Sequence, residues 1–341
     1  MLSAFWLRRT FLAVSLIVSL ACSETSGGSA DADVADGLAE VLDLAGDTSA
    51  EVDVTPVFES SRFVTDAQGR VLIFHGMNIN AGAKGAPGHI QPLDQADMQR
   101  VAADFGLNFA RYLIFWDGVE PKPGQIDDAY LDAVELQLDM LHEAGLWVML
   151  DMHQDVYAKR FCCDGAPEWA IRDDDIPFDM QSAWFANYLQ PAVKRAFDNF
   201  WAYDRGDHAF LQDHYVAMWA AVAERFRDHP AVIGYDIMNE PHPGSDIDVI
   251  ELLGNENPST SHRAHDLEDL QPFYQRAIEA IREVDEEHWI FVEPRYGAPG
   301  LGMPSYFGLF TDPRPGAARV AYAPHLYSLK TEATGVYDVE E

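Results

Sequence analysis

From residue 71 onward, short apolar runs alternate along the chain with segments of helical periodicity. The runs are continuously apolar, as in strands that are buried on both faces. They predict strands over residues 71–74, 109–115, 147–152, 232–237, 289–292 and 319–323. Strands that alternate with helices in this way predict a parallel sheet covered by helices.

The helical segments have recognisable ends. Asp94 is a capping residue for a helix that buries Met98, Val101 and Phe105 and ends before Gly106. Three further helices are predicted, and their apolar faces are Leu131, Val134, Leu138 and Leu141 (starting at Asp127 or Asp128), then Tyr215, Met218, Trp219, Val222 and Phe226, then Phe273, Ala277, Ile281 and Val284.

A doubly wound sheet and an eight-stranded barrel both fit this alternation. No G-x-G-x-x-G motif follows the first strand, which removes the usual reason for a dinucleotide-binding sheet. Polar residues instead follow the strands at their C-terminal ends, where barrels carry their active sites. The fold class predicted is therefore an α/β (β/α)8 TIM barrel, with about six βα units in this chain and a long insertion at residues 156–210.

Composition narrows the classes of ligand. The chain has 341 residues and a formal net charge of −33. Nucleic acid and anionic lipid require a basic surface, so neither is an expected partner. An acidic surface rich in aromatic residues is compatible with neutral ligands such as sugars. We expect no cofactor and a monomeric protein.

The N-terminus has the pattern of a bacterial export signal. Arg8 and Arg9 precede an apolar segment at residues 11–21, which is too short for a permanent membrane span. Cys22 follows a sequence similar to a lipoprotein cleavage site, although Ser19 stands where leucine is usual. We predict a signal peptide over residues 1–22 and lipidation of Cys22. Plain secretion and an uncleaved anchor are the alternatives.

Residues 23–57 contain nine acidic residues, no Lys or Arg, and many Ala, Gly, Ser and Thr. Such a composition predicts a disordered linker, with a short helix around residues 38–44 as the alternative. Residues 58–341 then form the barrel domain. The protein is expected to be exported and either held at a membrane only by its N-terminal lipid or secreted.

Two adjacent cysteines, Cys162 and Cys163, are the ones that remain after Cys22. Neighbouring cysteines cannot join distant segments, and the pair is either a vicinal disulfide or two thiols. The spacing does not match a metal site, so no structural metal is predicted.

Groups capable of catalysis or sugar binding follow each predicted strand. Each one alone has a structural explanation, such as a buried histidine or an ion pair. Six consecutive strands that all end in this way favour an active site. The residues are His75 and Asn78, Arg111 and Trp116, Asp151, His153 and Asp155, Asn239 and Glu240, Glu293, and His325 and Tyr327.

In their order along the chain, these residues resemble the signature of glycoside hydrolase family 5. Arg111 lies in NFAR, His153 in DMHQD, Asn239 and Glu240 in NEP, and His325 in HLY. The resemblance covers residues 63–327. The segments DMHQDVY from residue 151, GAPEWA from 165 and APHLY from 323 are most similar to endoglycoceramidases, which release intact glycans from glycosphingolipids.

The resemblance implies a retaining β-glycosidase. Glu240 would be the acid/base that protonates the departing glycosidic oxygen, and Asn239 would hydrogen-bond the sugar 2-hydroxyl. Strand alternation points Asn239 away from Glu240, so its role requires a local turn. His153, Asp155 and Lys84 would bind the non-reducing sugar.

The same resemblance implies that Arg111, His325 and Tyr327 orient a nucleophile, a glutamate at the end of a seventh strand. Retention requires two carboxyl groups about 5 Å apart. No seventh strand is counted, so we expect the nucleophile beyond residue 341, with a barrel incomplete at its C-terminus and an inactive 341-residue product. Glu293, on the fifth strand, is interpreted as a substrate contact rather than the nucleophile.

Two other functions stay open. One is a β-glucanase (cellulase) or steryl-glucosidase of the same family. An apolar groove on the leaving-group side would favour a glycosphingolipid substrate over these alternatives. The other is an inactive protein that only binds sugar.

Overall fold

The computed structural model describes residues 63–66, 68–245, 260–298 and 302–327, all within the unit Phe58–Glu341. The predicted signal peptide at residues 1–22, the lipidation site Cys22 and the acidic linker at residues 23–57 lie outside the described residues. Those three assignments remain predictions. Among the described residues, no helix has the length and apolar character needed to cross a bilayer.

Six parallel strands form one sheet, and each strand pairs with its neighbours in the sequence. A doubly wound sheet changes its strand order at a switch point, whereas consecutive order is the arrangement of a barrel. The strands are β1 Gly76–Ile79, β2 Phe109–Phe115, β3 Trp147–His153, β4 Val232–Asp236, β5 Trp289–Val292 and β6 Val320–Tyr322. The described residues thus supply six consecutive strands of a (β/α)8 barrel.

Helices follow the strands and cover the outer face of the sheet. A π-helical turn at His265–Leu270 joins the last two helices. The helices are α1 Gln95–Ala103, α2 Trp116–Val119, α3 Asp128–Glu143, α4 Pro191–Trp201, α5 Ala209–Phe226, α6 Thr260–Ala264 and α7 Gln271–Arg282.

The predicted helix starts are confirmed by their side-chain caps. The Asp94 carboxylate accepts hydrogen bonds from the backbone N–H groups of Ala96 and Asp97 at the start of α1. The Asp127 carboxylate accepts from the Tyr130 N–H at 3.0 Å at the start of α3. Each cap satisfies N–H groups that have no partner within the helix.

The predicted apolar faces of α3 and α5 are buried in full. The prediction was wrong for Phe105, which has 67% of its surface exposed. Helix α1 ends at Ala103, so the helical periodicity that would turn Phe105 inward stops before it reaches that residue. Val284 likewise lies beyond the end of α7 and is half-buried.

The first strand was predicted in the wrong place. Residues 71–74 form no strand of the sheet, and Val71 and Ile73 are 51% and 70% exposed. The strand begins instead at Gly76, whose backbone lies so close to β2 that a Cβ would stand 2.2 Å from the Phe109 carbonyl oxygen. The sequence Gly-Met-Asn-Ile has no apolar run, so the pattern gave no signal for β1.

The segment before β1 closes the N-terminal end of the barrel interior. Leu72 and Phe74 pack against an inner cluster, and the Phe74 and Phe109 rings lie 4.5 Å apart. The buried members of this cluster are Met149, Ile233, Trp289 and Phe291. Apolar packing therefore fills the N-terminal end of the barrel and leaves polar groups to the opposite end.

The insertion after β3 packs as an aromatic layer over the C-terminal end of the sheet. Tyr157 lies edge to face with Phe197 at 5.0 Å, and Tyr188 stacks on His242 at 4.8 Å. Cys162 and Cys163 are joined in a vicinal disulfide in this insertion. Of the two states left open by the sequence, the structure has the disulfide.

Candidate active site

Arg111 lies at the centre of the polar cluster at the C-terminal ends of the strands. It projects from β2, is 7% exposed, and contacts carboxylates from the three following strands. Its guanidinium nitrogens lie 2.9 Å from Asp151, 2.9 Å from Asp236 and 2.8 Å from Glu293. A planar, permanently charged guanidinium can hold several carboxylates at once, and this arrangement ties β2 to β3, β4 and β5.

Three buried carboxylates share this one cation, and their protons are distributed unequally. Burial raises the pKa of Asp236 well above its usual value, and the nearby Glu293 carboxylate raises it further. Burial also disfavours the charged form of Asp151, but Arg111 and His153 outweigh it and lower the pKa of Asp151. Asp236 therefore holds a proton, whereas Asp151 is ionised and is stabilised by the positive charge of Arg111.

His153 at the end of β3 links Asp151 to the surface. Its Nδ1 lies 2.7 Å from Asp151 and its Nε2 lies 3.5 Å from Asp155, so the strand alternation predicted for these three residues is confirmed. Burial would lower the pKa of His153, but these two carboxylates raise it to about 9. The imidazole is therefore a cation at neutral pH.

Lys84 joins this group from the segment after β1. Its Nζ donates to the Asp155 carboxylate at 2.5 Å. The Asp155 and Lys84 side chains keep 13% and 36% of their surfaces exposed, whereas His153 keeps 6%. Ligand hydroxyls can therefore reach Asp155 and Lys84 from solvent while His153 holds Asp155 from behind.

Asn239 and Glu240 follow β4 and are fixed by hydrogen bonds to β3, to Gln154 directly after it and to Arg111 of β2. The Asn239 backbone N–H donates to the Met152 carbonyl at 3.1 Å. Its side chain accepts from Arg111 at 3.0 Å and donates to the Gln154 carbonyl at 2.9 Å. The Gln154 amide in turn donates to the carbonyls of Asn239 and Glu240 at 2.8 and 3.1 Å.

The local turn that the sequence required is present. Glu240 has a φ of 44°, in the left-handed region that non-glycine residues rarely occupy. This turn breaks the strand alternation, so that Asn239 points at Arg111 while the Glu240 carboxylate, 14% exposed, reaches His325.

His325, after β6, lies between two glutamates. Its Nδ1 is 2.8 Å from Glu240, and its Nε2 is 3.0 Å from Glu293. Burial would lower the pKa of His325, but these two carboxylates raise it to about 10. The protonated imidazole therefore donates one N–H to each glutamate. Tyr327 lies beside it, with ring centroids 6.0 Å apart, and is 51% exposed.

Glu293 is buried among Arg111, His325 and the Asn239–Glu240 turn. It is 1% exposed, and its carboxylate contacts Arg111, His325 and the Glu240 backbone N–H, the last at 2.8 Å. These contacts hold His325 and the Asn239–Glu240 turn in place, and the substrate contact that the sequence indicated for Glu293 stays a prediction. Because the His325 ring fills the space between Glu240 and Glu293, these two carboxyls do not form an open pair around a sugar carbon.

The sequence missed three residues that the structure places at the site. Asp236 ends the apolar run of β4, which is a detectable signal for a buried acid. Gln154 lies within the DMHQD motif and clamps the Asn239–Glu240 turn. Asp164 lies in the insertion, and no spacing in the sequence connects it with Asp155.

Among the residues that the structure describes, two groups of side chains are close enough to hold a metal ion: His153 with Asp155 and Asp164, and Asp236 with Glu293 and His325. Each group is already faced by a cation of the protein. Lys84 bonds to Asp155 in the first, and Arg111 bonds to Asp236 and Glu293 in the second. We assign no metal ligand in either group.

Comparison with known proteins places this site in a family. Residues 65–338 match the model of cellulase (glycosyl hydrolase family 5). An endoglycoceramidase of Cyanea nozakii is 30% identical over 74% of this chain and 52% of its own length. The chain spans about half the length of the curated endoglycoceramidases it matches.

Solved structures agree with this assignment. Endo-glycoceramidase II from Rhodococcus sp., in complex with a five-membered iminocyclitol, superposes with a TM-score of 0.72 at 43% identity, over 79% of this chain and 59% of that one. The ganglioside GM3 complex of the same enzyme gives a TM-score of 0.73 at 40% identity, over 81% of this chain and 61% of that one. The family resemblance inferred from the strand-end motifs is confirmed, and the chain belongs to glycosyl hydrolase family 5.

Proposed function

We propose that the protein is a retaining β-glycosidase that releases glycans from glycosphingolipids, with Glu240 as its acid/base. The observation that carries the proposal is the Asn239–Glu240 turn. It presents one partly exposed carboxyl at the C-terminal end of β4, fixed by Gln154 on one side and by Glu293 on the other. A general acid must be held in one place relative to the leaving oxygen, and this turn supplies that rigidity.

The surrounding groups support sugar as the ligand. Asp155 and Lys84 present an acceptor and a donor that reach the surface beside Glu240's strand, and His153 holds Asp155 in place. Neutral hydroxyls are bound by such pairs of charged donors and acceptors through charge-assisted hydrogen bonds. In the proposal these three residues bind the non-reducing sugar, and Asn239 bonds the 2-hydroxyl.

The roles proposed for Arg111, His325 and Tyr327 concern the nucleophile. Arg111 and His325 are cations held at the C-terminal end of the barrel, where the N–H donors of both bond Glu293. Donors of this kind keep a carboxylate ionised, which a nucleophile requires. The support for Tyr327 is its place beside His325.

Glycosphingolipid is proposed as the substrate because the similar endoglycoceramidase II has been solved with ganglioside GM3. The test uses the complete gene product with lactosylceramide, and follows the anomeric proton of the released disaccharide by NMR. We expect the β-anomer to appear first. Release of the α-anomer first, or no release at all, would overturn the proposal.

We further propose that residues 1–22 direct export and that Cys22 carries a lipid. The charged residues Arg8 and Arg9, the short apolar segment and the position of Cys22 support this. A lipid on Cys22 followed by an acidic linker would keep the barrel near a membrane that presents glycolipid.

A further inference from the structure

Asp164 is a buried acid beside Asp155 and His153. The residue is 1% exposed, and within the described part of the chain neither oxygen of its carboxyl group has a hydrogen-bond partner. Buried carboxyl groups ordinarily have such partners, because an unpaired one costs free energy. Its placement therefore calls for a physical reason.

The backbone forces Asp164 against Asp155. The two residues exchange backbone hydrogen bonds at 3.2 and 3.3 Å as an antiparallel bridge, which places their side chains side by side. Gly165 follows at φ 126°, and a Cβ there would stand 2.6 Å from the Gln154 Cβ. The loop is thus closely packed at the residue that follows Asp164.

Four titratable groups face Asp164. His153 comes from β3, Asp155 from the same loop, and Lys84 and His89 from the segment after β1. The carboxylate oxygens of Asp155 and Asp164 and one His153 nitrogen lie within 4.8 Å of one another.

The cations among these groups already have partners. Lys84 bonds to Asp155, and His89 lies 2.9 Å from Asp117. His153 is shared between Asp151 and Asp155. A negative charge on Asp164 would therefore have no cation of its own and would lie next to the Asp155 carboxylate.

We propose that Asp164 is a positioning residue of the sugar site: its neutral form leaves Asp155 held by Lys84 and His153, and loss of its proton weakens sugar binding. This inference rests on the proposed function, in which Asp155 binds a sugar hydroxyl. Ionised Asp164 repels Asp155 and competes with it for Lys84 and His153. Burial, and to a lesser degree the charge of Asp155, raises the pKa of Asp164 to about 7, so the change falls near neutral pH.

The experiment measures the affinity of the full chain for methyl β-lactoside, a neutral sugar without a titrating group, by calorimetry between about pH 6 and pH 8.5. For the wild type we expect the dissociation constant to rise by about tenfold across this range, within the limit of about tenfold per pH unit for binding linked to one proton. Asp164→Asn keeps the shape of the side chain and removes the titration. At every pH the variant should bind the lactoside about as tightly as the wild type does at low pH. Most of the increase in the dissociation constant with pH should therefore disappear.

Asp173→Asn is the matched control, because Asp173 is a buried acid of the same insertion that pairs with Arg160 instead. It should keep the wild-type pH dependence. If Asp164→Asn does not fold, Asp164→Ser removes the same charge and is measured instead. An unchanged pH dependence in the Asp164 variant overturns this inference alone. Absence of lactoside binding at every pH overturns the proposed function and this inference with it.

Discussion

At the scale of single residues, the site is a set of buried charges that depend on one another. Arg111 provides the single guanidinium for Asp151, Asp236 and Glu293, and His325 connects Glu293 to Glu240. Removing one partner from such a group leaves the remaining charges buried and uncompensated. The residues that position Glu240 are for this reason also residues on which folding depends.

Replacement of Arg111 by methionine tests this dependence. Arg111→Met keeps a long apolar side chain but leaves the buried acids of three strands without their cation. We expect the free energy of unfolding to fall by about 3–5 kcal/mol, measured by urea denaturation. Arg100→Met is the control, since Arg100 is 62% exposed and makes only surface ion pairs, each worth below about 1 kcal/mol. Equal losses in the two variants would contradict the role given to Arg111.

The pH dependence of stability tests the burial of Asp164. Its pKa lies at about 7 in the folded protein and at the ordinary 3.8 when unfolded, so the folded state binds the extra proton between these values. Its contribution to stability is present below about pH 4 and is lost as the pH rises through about 7. Each unit of pKa shift is worth about 1.4 kcal/mol.

Asp164→Asn should therefore gain stability relative to the wild type as the pH rises from about 4 to 7, by up to about 4 kcal/mol. Urea denaturation of both proteins at a series of pH values measures this difference. A difference that stays constant across the range would mean that Asp164 is ionised in the folded protein as freely as in the unfolded one.

At the scale of elements, strands β2 to β5 followed from the sequence nearly to the residue, because each is a continuous apolar run buried on both faces. Strand β1 did not, since it begins at a glycine required by the close approach of β2. The residues of the candidate active site divide in the same way into those that the sequence pattern predicts and those that it does not. Residues at strand ends could be predicted, but contacts such as that of Asp164 with Asp155 depend on how a long insertion folds back.

Gly76→Ala tests the close approach of β1 and β2. A Cβ at residue 76 would stand 2.2 Å from the Phe109 carbonyl oxygen, so the two strands must move apart. We expect a loss of about 1–3 kcal/mol in the free energy of unfolding, as for other overpacked sites. Gly206→Ala serves as the control because it is exposed, and a Cβ there meets no atom within 4 Å. If Gly76→Ala is as stable as Gly206→Ala, β1 is placed wrongly.

At the scale of the whole molecule, the C-terminal ends of six consecutive strands carry the site, and apolar packing closes the opposite end. The strongly acidic chain, with a net charge of −33, has no electrostatic attraction for an anionic bilayer. A covalent lipid at the N-terminus would supply the membrane contact that the surface charge does not.

The variant Cys22→Ser tests whether Cys22 carries a lipid. Metabolic labelling with radioactive palmitate in a bacterial host should mark the wild-type protein and leave the Cys22→Ser variant unlabelled. Cys163→Ser is the control, because Cys163 lies in the barrel unit and should keep the label. Equal label in the wild type and the Cys22→Ser variant, or none in either, would exclude lipidation at this position.

Glu240 as the proton donor is tested most directly by the leaving-group dependence of Glu240→Gln. The complete gene product and its variant are compared on lactosylceramide and on dinitrophenyl β-lactoside, whose leaving group departs without protonation. We predict that kcat/KM of the variant falls by about 10²–10⁴-fold on lactosylceramide and far less on the aryl lactoside. Glu224→Gln, an exposed change on α5, should leave both values unchanged. Full activity of Glu240→Gln on lactosylceramide, or an equal loss on both substrates, would show that Glu240 is not the acid.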